Sequence, residues 1–241
     1  MTNKWLKVAL MAAAIATGTS IKIDAETVLY VPQDDRPVSL QYTVDTAREA
    51  GMTILTPPQN LISGKNYQGQ ADQIMAWVEQ NAGRADVMVL STDTLIYGGL
   101  VDSRKHNIPL TTLESRLKRI ESLKARNKKV RIYGFGTVMR SPRASGGGTE
   151  PAYYAEYGPT IFQIAALQDK LDSGSLTQEE TQKLMSLQAS VPVEYLQDWF
   201  DRRQKNMKIN KELIDETRSG VFDYFALGHD DTSQLSQSAL E

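Results

Sequence analysis

Asp86-Val87-Met88-Val89-Leu90 runs straight into Ser91-Thr92-Asp93-Thr94-Leu95-Ile96-Tyr97-Gly98-Gly99-Leu100-Val101-Asp102-Ser103-Arg104. The first part has four apolar residues in a row and no polar alternation, which suits a strand buried on both faces of a parallel sheet. The second part turns polar and glycine-bearing at once, which predicts a strand end followed by a long polar loop. Four more short, β-rich apolar segments lie on either side, at 27–31, 52–55, 130–133 and 222–227.

Helical patterns fill the gaps. Residues 39–50 end at Gly51, a natural left-handed C-cap. Residues 72–81 put Ile74, Met75 and Val78 on one face and end near Gly83. Residues 111–128 open with the capping-box pattern Thr111-Thr112-Leu113-Glu114, carry the stripe Leu113, Leu117, Ile120, and finish basic, which suits the helix dipole. Strand alternating with helix predicts an α/β fold: a parallel sheet flanked by helices, either Rossmann-like or an incomplete, distorted β/α barrel. A closed barrel would need about three more strand–helix units than the chain offers.

Between the fourth and fifth segments lies a long insertion, helical from about 146 to 219, which begins Gly146-Gly147-Gly148. Its predicted helices are 151–171, 177–190 and 192–217. The middle one starts with a second capping box, Thr177-Gln178-Glu179-Glu180. This reads as a helical subdomain or lid on an α/β domain covering 26–241.

Composition excludes several classes. The 241 residues are 41% hydrophobic and 23% charged, which is ordinary for a folded domain. The formal net charge of -2 offers no basic face for nucleic acid. With no cysteine, disulfides, thiolate zinc sites and cysteine nucleophiles are out. His106 and His229 are too few for a multi-histidine metal centre. At the start, Lys4 and Lys7 precede an apolar run at 8–16, and Ile23-Asp24-Ala25 follows. This is the pattern of a secretory signal over 1–25, and the run is shorter than the roughly 20 residues of a membrane span. The expected product is periplasmic or secreted, with no membrane span after the signal is removed.

Polar clusters follow four of the strands. Besides the segment after Leu90, there are Pro32-Gln33-Asp34-Asp35-Arg36-Pro37, Met139-Arg140-Ser141-Pro142-Arg143 and Gly228-His229-Asp230-Asp231-Thr232. Parallel strands would bring all four to one carboxyl edge, where open α/β sheets and barrels place their sites. Asp34, Asp35, Asp93 and Asp230 are then the candidate acids, bases or nucleophiles. Asp34 and Asp35 diverge along an extended backbone, so one of them faces the site, while Arg36 neutralises the other or grips a ligand. The plain alternative is an N-cap with a surface ion pair. Arg104 and Arg140 are candidate substrate ligands, with Arg104 a partner for Asp93 or Asp102. Tyr97-Gly98-Gly99 permits close backbone approach to a ligand. His229 and Asp231 complete the rim. Tyr154, near Tyr153 and Tyr157, is a candidate for stacking on a sugar, against the alternative of ordinary packing. Oxygen ligands alone would suit Mg²⁺ or Ca²⁺. Gly134-Phe135-Gly136 has part of a phosphate-loop pattern without its third glycine, and no G-x-S-x-G elbow occurs.

These stretches carry a resemblance. Pro32-Gln33-Asp34-Asp35-Arg36-Pro37-Val38, the segment from Asp93 to Arg104, Val138-Met139-Arg140, residues 154–158 and His229-Asp230-Asp231 resemble the bacterial domain-of-unknown-function family 4127. The resemblance spans nearly all of the chain after the signal. It implies the front portion of a protein about twice as long, and it admits a larger α/β assembly. It assigns no chemistry.

The residues themselves predict an exported carbohydrate-active hydrolase, because paired carboxylates can protonate a leaving oxygen and stabilise or attack an anomeric carbon. Its partner would be a small-molecule or glycan substrate. Two alternatives keep the same edge: a non-catalytic exported sugar- or ligand-binding protein, and a hard-cation-dependent phosphoryl or acyl hydrolase.

Overall fold

A computed structural model of the protein describes residues 25–144 and 147–229. The export signal expected over 1–25 lies, as far as Asp24, outside the described residues, as do Gly146, Asp230 and Asp231.

Five strands form one open sheet: β1 (Thr27–Val31), β2 (Thr53–Leu55), β3 (Val87–Ser91), β4 (Arg131–Val138) and β5 (Tyr224–His229). Their order is β2-β1-β3-β4-β5, and every adjacent pair is parallel. The sheet is not closed, and β1 lies between β2 and β3 instead of the strands following one another in chain order as in a barrel, so the arrangement is doubly wound, of which this strand order is a common form. Eight α-helices flank it among the described residues: α1 (Gln41–Glu49), α2 (Ala71–Asn81), α3 (Thr92–Tyr97), α4 (Leu100–Lys105), α5 (Leu110–Arg126), α6 (Tyr154–Asp172), α7 (Gln178–Ala189) and α8 (Val193–Arg218).

The side-chain period of two sorts the strands into two faces. Leu29, Val31, Met88, Leu90 and Ile132 bury against Ile74, Met75 and Val78 of α2, Leu113, Leu117 and Ile120 of α5, and Ile209 and Leu213 of α8. The other face carries Val28, Tyr30, Val89 and Tyr133, and α1 lies over its β1–β2 side. The insertion has a second apolar cluster of its own, in which Ile161 and Ile164 of α6, Leu184 of α7 and Trp199 of α8 surround Tyr154.

Three local expectations are corrected. The 92–105 segment is not a loop but the two short helices α3 and α4. Ser91 Oγ accepts from Thr94 N (3.3 Å) to cap α3, and Gly98, at φ 110°, closes it. The helices form because Leu95, Ile96 and Leu100 are buried and the adjoining Thr94 finds an internal partner, its Oγ1 donating to the Pro32 carbonyl (2.7 Å). Next, α5 starts behind Pro109 with no side-chain cap, since the proline sets the first turn before Thr111 is reached, and Glu114 pairs with Lys208 instead. Finally, β4 runs on to Val138, which puts Gly134-Phe135-Gly136 inside a strand rather than in a phosphate loop. A Cβ on Gly134 would lie 2.7 Å from the rings of Phe222 and Phe225, and one on Gly136 would lie 2.3 Å from Thr92 Oγ1. Both glycines make room for packing. The Thr177–Glu180 capping box of α7 forms as expected, with Glu180 N donating to Thr177 Oγ1 (3.1 Å) and Thr177 N to Glu180 Oε2 (3.0 Å).

Candidate functional site

The chain leaves β1 toward β2 on one side, and β3 and β4 lie on the other. The carboxyl ends of β1 and β3 therefore flank the point where the winding reverses, and open α/β sheets place ligands at such a crevice. A cleft of about 410 Å³ opens there, lined by Gln33 and Asp34 after β1, Lys65 from the loop before α2, Leu100, Val101 and Arg104 of α4, and Thr137, Arg140 and Thr149 around the end of β4.

Asp93 sits at the start of α3, immediately past β3, and is 2% exposed. Its Oδ2 accepts from Gln33 Nε2 (2.9 Å) and Thr137 Oγ1 (2.8 Å), while Oδ1 has a long contact from Thr137 N (3.5 Å). Both side-chain donors line the cleft, so the carboxyl lies just beneath its floor. Burial pushes the Asp93 acid up to about 6, against the pull of those hydrogen bonds and of the Arg104 charge.

Asp34 and Asp35 diverge. The Asp34 carboxylate takes Arg36 Nε (2.8 Å) and Nη2 (2.7 Å) and borders the cleft. Asp35 is anchored by its backbone N on the Ser63 carbonyl (2.9 Å), accepts from the Tyr67 hydroxyl, and borders a separate depression with Pro37 and Gln41. Arg140, at the end of β4, donates through Nε to Glu150 Oε1 (2.9 Å) and through Nη2 to Thr149 Oγ1 (2.8 Å), which ties the glycine-rich loop down. Lys105 Nζ holds the same loop at the Gly148 carbonyl (3.0 Å).

Other candidates sit elsewhere. Gly98 and Gly99 do permit close backbone approach, but what approaches is the protein. A Cβ on Gly98 would lie 2.8 Å from the Gly69 carbonyl, and one on Gly99 would lie 1.8 Å from Ser63 Oγ. Asp102, whose acid burial pushes up, accepts from Gly69 N (3.0 Å) rather than pairing with Arg104. Tyr97 is buried and its ring stacks on His106 at 4.9 Å. Tyr154 is fully buried against Trp199, with its hydroxyl donating to the Pro142 carbonyl (2.8 Å), so it packs the insertion and has no exposed face for a sugar. Tyr153 and Tyr157 share a face, and that face is spent on Tyr195. His229 ends β5 opposite Val138, exposed on the same edge.

The structure adds Gln33, Lys65, Thr137 and Glu150 to the residues singled out from sequence. Only Gln33 lay in a quoted cluster. Among the described residues, no group of three or more histidine, aspartate or glutamate side chains is arranged to hold a metal ion. No helix among the described residues is long and apolar enough to cross a membrane.

Fold and site together define an open, doubly wound α/β protein with a polar cleft at its switch point. The chain belongs to the family described as "Protein of unknown function (DUF4127)", whose family model matches residues 28–241. No curated protein and no solved structure matches it.

Proposed function

We propose that the chain is an exported carbohydrate-active hydrolase working in the switch-point cleft, with Asp93 as the group that carries the proton. The observation behind this reading is a carboxyl raised to about 6 beneath an open cleft of about 410 Å³. That volume falls in the range of small-ligand sites, and an acid poised near neutrality suits proton transfer. Asp93, beneath the floor, passes its proton to the Thr137 hydroxyl, which lines the cleft and hands its own proton to the glycosidic oxygen as the C–O bond breaks; water delivers hydroxide to the anomeric carbon and its other proton returns through Thr137 to the carboxylate. Asp34, held by Arg36, is the second carboxylate near the reacting centre. Export rests on the lysines and apolar run before residue 25.

The test is Asp93→Asn assayed on a panel of glycans. Turnover should fall by about 10²–10⁴-fold, the usual worth of a general acid. In the wild type, kcat/KM should decline as pH rises through about 6, because the acid form of Asp93 is lost there. Unchanged turnover in the variant removes Asp93 from the chemistry. A binding protein without turnover is the second reading, favoured by the engagement of Asp34 with Arg36; ligand binding with no hydrolysis by the wild type would establish it.

A further inference from the structure

A second concavity opens on the other side of the turn that follows β1. Gln33, Asp34 and Arg36 border the switch-point cleft, whereas Asp35 and Pro37 border a groove of about 620 Å³, so one turn separates the two. The loop before α2 belongs to the same wall: Lys65 borders the cleft, and the Tyr67 hydroxyl donates to Asp35. From there the groove runs between α1 and the chain that leaves β2. Gln41, Asp45 and Arg48 of α1 line one side at helical spacing, over a rise of about 10 Å. Thr56, Pro58 and Gln59 line the other side, together with Trp77 of α2.

Trp77 is half-buried: it packs against the core under the sheet and also borders the groove. Among the described residues, no hydrogen bond engages its indole N–H or the side-chain amides of Gln41 and Gln59. A pyranose offers a C–H face that suits an aromatic or proline ring, and a rim of hydroxyls that each donate and accept. Carboxylates accept from neighbouring hydroxyls, and a carboxamide meets them with a donor and an acceptor together. The groove has both kinds of surface, Trp77, Pro58 and Leu40 for the faces and Asp35, Gln41 and Gln59 for the hydroxyls. Ring surface with a few placed polar groups is the usual lining of a ligand site. Its charges do not invite an acidic ligand: Asp35 and Asp45 stand against Arg48, and Arg48 lies 3.8 Å from Asp45. Tyr154, the aromatic expected to stack, is in the core of the insertion, and Trp77 takes its place.

We propose that this groove is a distal subsite for neutral sugar units, with their C–H faces against Trp77 and Pro58 and their hydroxyls on Asp35, Gln41 and Gln59. The sugar class rests on the proposed hydrolase; the groove adds that the substrate is an oligosaccharide. Such a chain crosses the Asp34–Asp35 wall, with its scissile bond in the cleft and its far units in the groove. Contacts made there are remote from the reacting bond, and remote binding favours a longer substrate over a shorter one. The two adjacent aspartates thereby take separate tasks, Asp34 at the cleft and Asp35 at the groove.

The experiment is calorimetric titration of the Asp93→Asn chain, so that no probe is cleaved during the measurement. The probes are glucose, N-acetylglucosamine, xylose and mannose, their neutral hexasaccharides (cello-, chito-, xylo- and mannohexaose), and hexagalacturonate. At least one neutral hexasaccharide should bind about tenfold or more tighter than its own monomer. Gln41→Ala combined with Gln59→Ala, both at exposed positions that spare folding, should cut that advantage about threefold or more. Gln80→Ala, exposed on α2 outside the groove, should leave it unchanged. Trp77→Leu keeps an apolar side chain toward the core and should cut it further, with circular dichroism to report whether that variant is folded. Trp77 also supplies a direct readout. With Trp5→Phe added, the other tryptophan, Trp199, is fully buried, so acrylamide quenching reports Trp77, and a bound hexasaccharide should shield it. No advantage of any neutral hexasaccharide in folded protein, tighter binding of hexagalacturonate than of all of them, an intact advantage in the glutamine double variant, or Trp77 left as quenchable as before overturns the proposal. Turnover by the chain with Asp93 intact separates the two claims. If a hexasaccharide shields Trp77 yet no glycan is hydrolysed, the groove stands and the hydrolase falls. If hexasaccharides are hydrolysed with the same kcat/KM in the glutamine double variant, the hydrolase stands and the groove falls.

Discussion

Asp93 keeps an ionisable carboxyl where burial favours its neutral form. The acid moves from 3.8 to about 6 in the folded chain, so the native state binds its proton more tightly than the unfolded chain does. Its contribution to stability is therefore complete below about pH 4 and is lost as pH rises through 6. A two-unit shift corresponds to about 3 kcal/mol. Replacing Asp93 by asparagine removes the ionisation and keeps a side chain of the same shape for Gln33 and Thr137. The stability of Asp93→Asn relative to wild type should thus improve by up to about 3 kcal/mol between pH 4 and pH 8, measured as the difference in urea unfolding free energy. A difference that stays flat with pH would show that the buried carboxyl carries no such penalty, with Arg104 compensating it in full. The same variant should lose turnover, so function and stability pull apart at this residue. The position of Asp93 was legible in the sequence, because it follows a strand too apolar to face water. Its partners were not: Gln33 lies 60 residues away and Thr137 lies 44 away, and only the pairing of β1, β3 and β4 brings them together.

At the level of elements, the junction between α4 and α8 has a pH sensitivity of the opposite sign. His106 caps α4, and its Nε2 shares a 2.8 Å hydrogen bond with Asn206 Oδ1, while Nδ1 accepts from Ile108 N (3.2 Å). This pattern assigns the neutral tautomer protonated at Nε2, since Nδ1 already faces a donor. Burial pushes the imidazole down to about 4, and the Arg202 and Lys205 charges push the same way against the Asn206 hydrogen bond and Asp198. The unfolded chain then binds the proton more tightly, so stability is whole above about 6.5 and drains away as pH falls toward 4. From pH 7 to pH 5, the wild type should lose about 2 kcal/mol that His106→Gln does not, read from urea midpoints at the two pH values. Equal acid sensitivity in the two proteins would place the sensitive group elsewhere. Element boundaries were readable wherever hydrophobic period or a cap spoke for itself, as with the Thr177–Glu180 box. They were misread at 92–105, where glycines and polar residues look like a loop. The cue that would have found α3 and α4 is the spacing of Leu95, Ile96 and Leu100, whose burial outweighs the polar composition around them.

Across the whole molecule, α8 joins two apolar clusters. Its first half places Trp199 in the core of the insertion, and its second half places Ile209 and Leu213 against the sheet. Between them, Arg203 Nη1 donates to the Arg140 carbonyl (3.1 Å) and Ser141 Oγ (2.9 Å), and Asn206 Nδ2 donates to the Ser103 carbonyl (2.8 Å), so the helix is also fastened to both segments that border the cleft. The sequence displayed the insertion as three helices after a glycine run but not this shared membership, because only the packing of the sheet against the insertion decides which cluster Trp199, Ile209 and Leu213 each join. A helix common to two cores couples their unfolding. With Trp5 and Trp77 replaced by phenylalanine, the remaining tryptophan reports the insertion alone, while far-UV circular dichroism reports the whole chain; the two should lose structure at the same urea concentration. Trp199→Ala opens a cavity in the insertion core and should cost about 3–5 kcal/mol. If α8 couples the clusters, followed by circular dichroism that variant still unfolds in one step at a lower midpoint. Two resolved steps, with the cleft surviving the first, would make the insertion an independent unit and leave the sheet to hold Arg140 in place by itself.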